Sequence, residues 1–432
     1  MKFNTLFALA YSCYARIRAN QVQGKRKALL PFSTNQVQGK RKAPTLTPPL
    51  PLPLPFSLAA NFVATSHDEA GSYSPSALAP IPAPSDNRLR VLMVTGVYPT
   101  EERPHAGTFI KSQVDSLITA GLTVDILHPR PGPSPLRYIS AAIQVFGKTL
   151  TGRYDIVHGH YGLWCLVARL QWRTPVVASF LGDDILGTIT AEGHHSAKGQ
   201  IVTAISRKLC YLADAVIVKS IQMKEEARGP QHKIFVIPNG VNFEQFHPIA
   251  REKARALLEW DQRRYYVLFS NNPAIPVKNF SLARAAAERV RSKGFDVELV
   301  VASGLPHTTV ASYMNASNAL ILTSLAEGSP NVVKEAMACN VPVIATNVGD
   351  VDAVIGRTSG CHVCPHDPEE LANALETVLQ HGERTTGRQD ISHLNNALIA
   401  QQIIALYTHI VPSKGRDPLQ RVRRDLSPSH RK

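Results

Sequence analysis

The sequence predicts an α/β protein built from two doubly wound parallel sheets in tandem. Three observations carry that expectation. Short apolar runs alternate with helical stretches, the pattern that parallel sheets with crossover helices require. The alternation restarts after a charged connection near 246–263, which separates two similar halves. With 432 residues and 44% hydrophobic content, the chain has enough apolar side chains for a core in each half.

The chain opens on a segment outside this pattern. Residues 1–87 read as a basic, Pro-rich, disordered extension: NQVQGKRKA occurs at 20–28 and again, identical, at 35–43, before PTLTPPLPLPLP, and none of this can bury apolar surface. The opening MKFNTLFALAYSCYARIRAN shares traits with a signal peptide and with a transit peptide and satisfies neither, so the extension is read as an overextended start. The formal net charge of +14 arises at the two ends. Residues 1–67 hold nine Lys or Arg and no acid, and residues 412–432, read as a basic disordered tail, hold seven bases against two acids. The stretch 68–411 is then near neutral, which argues against a nucleic-acid groove. No apolar run reaches the roughly 18 residues of a membrane-spanning helix.

Order is expected from Arg88. RLRVLMVTG is a buried strand, VYPTEERPHAG a loop, and TFIKSQVDSLITAG a helix ending at Gly121. LTVDILHPR, DIVHGHYG, PVVASFLGDD, AVIVKS and KIFVIPNG supply the further strands of the first half. After PNGVNFEQFHP and REKARALLEWDQRR come YYVLFSNN, the helical NFSLARAAAERVRSKG, DVELVVAS, an MNASN turn, ALILTS and PVIATNVGD. The helices DPEELANALETVLQ and NNALIAQQIIALYTHI close the second half, and the last is expected to lie back across the first.

Between ALILTS and PVIATNVGD runs SLAEGSPNVVKEAMACN, Ser324 to Asn340, the stretch around which the chain is organised. Ser329 is expected as N-cap, Pro330 as first helical residue, and Val333, Ala336 and Met337 as the buried face. Glu327 and Glu335 would flank the start of that helix. Two glutamates eight apart are ordinarily solvated positions of an amphipathic helix. Here the helix links two strands, so its N-terminus faces the carboxyl edge of a parallel sheet, where such sheets bind ligands. Free amides there attract phosphate, and ionised carboxylates accept hydrogen bonds from sugar or ribose hydroxyls.

Six scattered cysteines indicate a reduced, intracellular protein. Cys361 and Cys364 form a CxxC beside His362 and His366, but no second ligand pair follows, so a strand end carrying two thiols is the preferred reading.

EGSPNVVKEAMACNVPVIATNVGDV, VIPNGVNFEQFHP and VYPTEERPHAGTFIKSQV together resemble the retaining glycosyltransferases of family four, over about residues 89–410. GTFIKSQV and LFSNNPAIPVKNFSLA resemble a bacterial subgroup that includes teichuronic-acid-type polysaccharide transferases. The resemblance implies a GT-B fold of two facing Rossmann-like domains. Residues 88–245 would hold the acceptor and 246–411 the nucleotide-sugar donor. It implies that Glu327 binds the donor sugar, that amides of Gly328, Ser329, Pro330 to Asn331 and Val332 approach sugar and phosphate, and that Glu335 holds the ribose. Lys278 matches the lysine that neutralises the diphosphate, and Gly107 the glycine whose missing side chain lets phosphate approach.

Two positions depart from the family pattern. The family arginine falls on Asn272, which cannot form a charged fork to phosphate. The family histidine falls on Leu181, leaving His160 and Asp183 as catalytic candidates at neighbouring strand ends, with His158 read as structural and Asp183 and Asp184 as alternative turn caps. Retention in the family implies no enzyme nucleophile, only charge stabilisation and positioning. No cofactor or metal is expected. Asp350 and Asp352 spell DxD but lie in the VGDVD loop of the family pattern. The partners implied are a nucleotide sugar and a glycan or lipid-linked acceptor, with cytoplasmic placement and peripheral contact at the inner membrane face. A nucleotide-sugar epimerase of similar build, or a nucleotide-sugar-binding protein without turnover, are the competing readings.

Overall fold

The computed structural model describes residues 89–129, 135–188 and 194–411, and the extension and the basic tail read from the sequence lie outside the described residues. All described residues belong to one compact unit. Two parallel sheets organise it. The first holds β1 (Arg90–Thr95), β2 (Thr123–Leu127), β3 (Ile156–His160), β4 (Val176–Ser179), β5 (Ala215–Val218) and β6 (Ile234–Val236), in the order β2-β1-β3-β4-β5-β6. The second holds β7 (Tyr265–Phe269), β8 (Val297–Val301), β9 (Ala319–Leu322), β10 (Val343–Thr346) and β11 (His362–Cys364), in the order β11-β10-β9-β7-β8. Both sheets therefore turn back beside their first strand, β1 against β3 and β7 against β9. At such a switch point the loops diverge and leave a crevice at the carboxyl edge.

Continuous apolar runs explain why the strands sit centrally. Val91, Leu92, Met93 and Val94 are fully buried, and β1 pairs on both sides, Val91 with Val124 of β2 and with Ile156 of β3. Strands covered by helices on both faces need no polar alternation. The CxxC pair is divided by this geometry. Cys361 donates to Met337 Sδ at 3.7 Å in the core beside the helix Asn331–Ala338, whereas Cys364 is buried in the core under the helix Pro368–His381. The two thiols thus serve different cores.

The helix Asn331–Ala338 begins one residue later than its sequence suggests. Pro330, in extended geometry, is its N-cap, and Ser329 caps nothing. The physical reason is a stronger partner: Ser329 donates to Asp350 Oδ2 at 2.6 Å and accepts from Lys334. Val333, Ala336 and Met337 form the buried face as expected. MNASN is corrected too, because Met314 to Ala316 end the helix His307–Ala316 and only Ser317 and Asn318 lie beyond it.

The last helix, Asn396–Ile410, reaches back to the first sheet. Asn396 Nδ2 donates to Ser112 Oγ at 2.6 Å on the helix Thr108–Thr119, and the Tyr407 hydroxyl shares a 2.5 Å hydrogen bond with His158 Nδ1. Val241, in the connection after β6, exchanges backbone bonds with Leu394 and Asn396. One apolar core consequently runs from Val91 and Ile110 through Val241 to Leu268 and Val333.

Candidate functional site

The carboxyl edge of the second sheet gathers most of the expected residues. After β7 the chain makes a short 3-10 turn, Pro276–Lys278, and after β9 it passes through Ser324 to Glu327. These two loops flank the switch point, so Lys278 and Glu327 converge: Nζ donates to Oε1 at 2.5 Å. Ser324 Oγ donates to the same oxygen at 2.7 Å. His366 Nε2 donates to the Ser324 carbonyl at 2.9 Å and steadies the loop. The Lys278 and Glu327 side chains are 20% and 14% exposed, so their attraction is screened less than on an open surface.

Glu335 lies on the helix Asn331–Ala338 and accepts a 2.8 Å hydrogen bond from His307 Nε2. His307 opens the helix His307–Ala316 and stands edge-on to Phe246, with ring centroids 4.9 Å apart. Burial opposes protonation of His307, but the hydrogen bond and charge of Glu335 prevail and raise its pKa. A basic group therefore already occupies the carboxylate expected to hold ribose.

Lys334 ties this edge together. Its ammonium is 1% exposed, donates to Ser329 Oγ and to the Asn239 carbonyl at 3.2 Å, and lies 3.5 Å from Asp350 Oδ2. Asn239 Nδ2 in turn donates to Asn331 Oδ1 at 3.2 Å. Asp350 is thereby committed to an ammonium and a hydroxyl, and Asp352 is exposed, so the DxD side chains do different work.

The first half contributes through backbone as much as side chains. A Cβ on Gly328 would lie 2.7 Å from the Leu181 carbonyl and 2.9 Å from Gly182 Cα, so the two halves touch where only glycine fits. Leu181 thus meets the loop after β9 through its backbone. Gly107 has φ +70 and a Cβ there would lie 2.7 Å from the Val97 carbonyl, which explains glycine at that loop, ahead of the helix Thr108–Thr119. Asp183 is exposed at the cleft mouth. Partial desolvation and the charge of Glu327 raise its carboxyl, with Lys278 opposing.

Asp184 faces inward and accepts from the amides of Leu181, Gly182 and Gly162 at 2.9, 3.0 and 3.0 Å. Burial pushes it up to about 6 while those three amides pull it down. It fastens the ends of β3 and β4. His158 is satisfied by Ser179 Oγ at 2.8 Å and by Tyr407, as a structural histidine should be. His160 is 1% exposed, stacks on His158 at 4.3 Å and lies 3.1 Å from Met93 Sδ. Burial and Lys219 lower it to about 3, so it is neutral near neutrality, and its Nδ1 has no partner among the described residues. Asn272 is exposed and its Oδ1 accepts from the Ala274 amide at 2.9 Å, shaping its own loop.

Comparison with known proteins finds a family match in each half. Residues 88–245 match the family model described as Glycosyltransferase Family 4, and residues 281–381 the model described as Glycosyl transferases group 1. Both halves of the chain thus carry glycosyltransferase domains, the first of them of family four. This glycosyltransferase is 25% identical over 354 residues to a protein named as the teichuronic acid biosynthesis glycosyltransferase TuaC of Bacillus subtilis, covering 66% of this chain and 88% of that one. It is 27% identical to a D-inositol 3-phosphate glycosyltransferase of Mycobacterium sp. (strain KMS), over 56% of this chain and 63% of the relative. The GT-B architecture is shared with a sucrose-phosphate synthase of Thermosynechococcus elongatus, at TM-score 0.60, 22% identity, 75% of this chain and 99% of that one. It is shared also with Anabaena HepE in complex with UDP and glucose, at TM-score 0.56, 17% identity, 74% of this chain and 100% of that one.

His307 and Lys334 were not legible as members of the site. Lys334 reads as a solvated helix lysine, and its one signal was its place at i−1 to Glu335 in an otherwise apolar helix. His307 sits in a segment with no motif, and only the pairing of helix and sheet brings it to Glu335.

Proposed function

We propose that this glycosyltransferase moves a hexose-type sugar from a nucleotide-sugar donor to a glycan or lipid-linked acceptor in polysaccharide biosynthesis, with retention at the anomeric carbon. The observation that carries the reading is the convergence of Lys278, Ser324 and Glu327 at the switch point of the second sheet, with Asp183 across the cleft mouth. The bond from the anomeric carbon to the leaving phosphate breaks while the acceptor oxygen bonds on the same face. The acceptor proton passes to a phosphate oxygen. Lys278 and the amides of the 328–332 loop stabilise the charge that grows on the diphosphate, where preorganised donors are worth most. Glu327 orients the sugar hydroxyls, Glu335 accepts from the ribose, and Asp183 meets the incoming acceptor.

His160 is a buried, neutral imidazole held against Met93 Sδ, and no step is assigned to it. No metal is assigned a step, since Asp350 is paired with Lys334 and Ser329. The name of the Bacillus relative supports a polysaccharide acceptor, and the UDP held by HepE makes uridine donors the first to try.

The test is a turnover screen with UDP, GDP, ADP and dTDP sugars, run with and without EDTA. Consumption of one donor class, unchanged by chelation, is expected. Binding or turnover of none would end the reading, and isomerised free nucleotide sugar without acceptor would make the protein an epimerase.

A further inference from the structure

Lys334 is buried on a helix whose other buried residues, Val333, Ala336, Met337 and Ala338, are all apolar. A buried ammonium is costly unless acceptors meet it, and an apolar residue of similar volume ordinarily serves stability as well or better. Here the acceptors come from three separate segments. Ser329 Oγ precedes the helix, the Asn239 carbonyl at 3.2 Å follows β6, and Asp350 Oδ2 at 3.5 Å follows β10. The ammonium therefore pins the loop that enters its own helix to two distant parts of the chain.

That loop has an oxygen side and an amide side. A Cβ on Gly349 would lie 2.8 Å from the Gly328 carbonyl oxygen and 2.9 Å from that of Glu327, so both oxygens face Gly349. A trans peptide sends its carbonyl and its amide in opposite directions, and no peptide bond among the described residues is cis. The amides of Gly328 and Ser329 consequently point away from Gly349. Like those of Asn331 and Val332, they have no hydrogen-bond partner among the described residues. The Ser329 hydroxyl gives its one proton to Asp350 Oδ2 at 2.6 Å and accepts from Lys334, so the group Ser329 can donate to a ligand is its amide.

We propose that Lys334 is a positioning residue for the transfer, acting from behind the loop through Ser329 and Asp350. It holds the amides of Gly328, Ser329, Asn331 and Val332 in the direction that meets the donor phosphates and does not touch the donor itself. The proposal rests on the reading of this edge as the donor site.

Lys334→Met alone would leave Asp350 without its cation, whereas Lys334→Met/Asp350→Asn removes both charges at nearly the same volume, so the unfolding midpoint should hold or rise. Turnover of the donor found in the screen, measured well below that midpoint, should still fall by about 10- to 100-fold with a smaller change in KM, the scale of misplaced reacting groups. Ser329→Ala should lose a similar factor. Lys334→Met/Ser329→Ala should lose no more than either change alone, because the two residues act as one unit. Calorimetry with UDP, GDP, ADP and dTDP on the native protein accompanies these assays. Unchanged turnover in Lys334→Met/Asp350→Asn would overturn the proposal, as would losses that add in the second double variant, or turnover that falls only in step with the unfolding midpoint. A native protein that binds none of the four diphosphates would sink the donor site itself, and the proposal with it.

Discussion

The Lys278 ammonium sits 2.5 Å from Glu327 Oε1 at the place where two loops leave the switch point of the second sheet. Both groups are mostly buried, and Ser324 fixes the carboxylate from the other side. On the proposed function, an arriving diphosphate would compete with the carboxylate for this cation. Glu327 would then be released toward the sugar hydroxyls. On the same proposed function, the pair is a resting arrangement of two groups with separate tasks.

Lys278→Ala should lower turnover by about 100-fold or more, the usual scale for losing one preorganised charge stabiliser. Donor affinity should fall by less, because charge on the leaving group grows as the bond breaks. Single-turnover kinetics beside calorimetry would check the split. Equal losses in both would make Lys278 a ground-state binder only.

Glu335→Ala should weaken nucleotide binding by roughly 1.5–3 kcal/mol, the range for a hydrogen bond to a charged group. His307 adds a pH dependence. Its pKa is raised in the folded protein by Glu335, so the stability this pair contributes is present in full below the ordinary histidine value and is lost as pH rises through the raised one. Ribose competes for the same carboxylate, so nucleotide affinity should improve over that rise. Titrations of a nucleoside diphosphate across this range should show the trend in the native protein and a flat profile in His307→Gln. A trend surviving that change would assign it elsewhere.

Much of this was readable before folding, and the remainder has a common cause. Strand and helix alternation needs only local periodicity, so both sheets, the restart between them and the helix that begins between Glu327 and Glu335 were legible. The return of the last helix was legible as well. Contacts between distant segments were not. Ser329 looked like an N-cap because Asp350, twenty-one positions on, was invisible as its partner. The approach of Gly182 to Gly328 is a meeting of two backbones that no side-chain pattern records. His160 has the chemistry of a catalytic base and is 1% exposed, which depends on how Met93, His158 and Lys219 pack around it.

Gly328→Ala should cost about 1–3 kcal/mol of stability, the scale of overpacking, because its Cβ would meet the Leu181 carbonyl at 2.7 Å. Backbone there can yield only by parting the two halves. Thermal unfolding and donor affinity should fall together, and an unchanged midpoint would show that this contact is not maintained in solution.

Asn272→Arg should tighten pyrophosphate binding, since charge-assisted pairs are roughly twice as strong as neutral ones, and the gain should shrink with added salt. The change also removes the 2.9 Å bond from the Ala274 amide, so a small loss in thermal stability should accompany it. Weaker binding at every ionic strength would mean that this loop does not face the diphosphate.

The central claim is retaining transfer from a nucleotide sugar at the edge marked by Lys278, Glu327 and Glu335. Proton NMR of the linkage formed from an α-linked donor tests it most directly. The expected product carries an α linkage, and its formation is lost in Glu327→Gln while nucleotide binding persists. A β-linked product would contradict the claim, as would full turnover in Glu327→Gln.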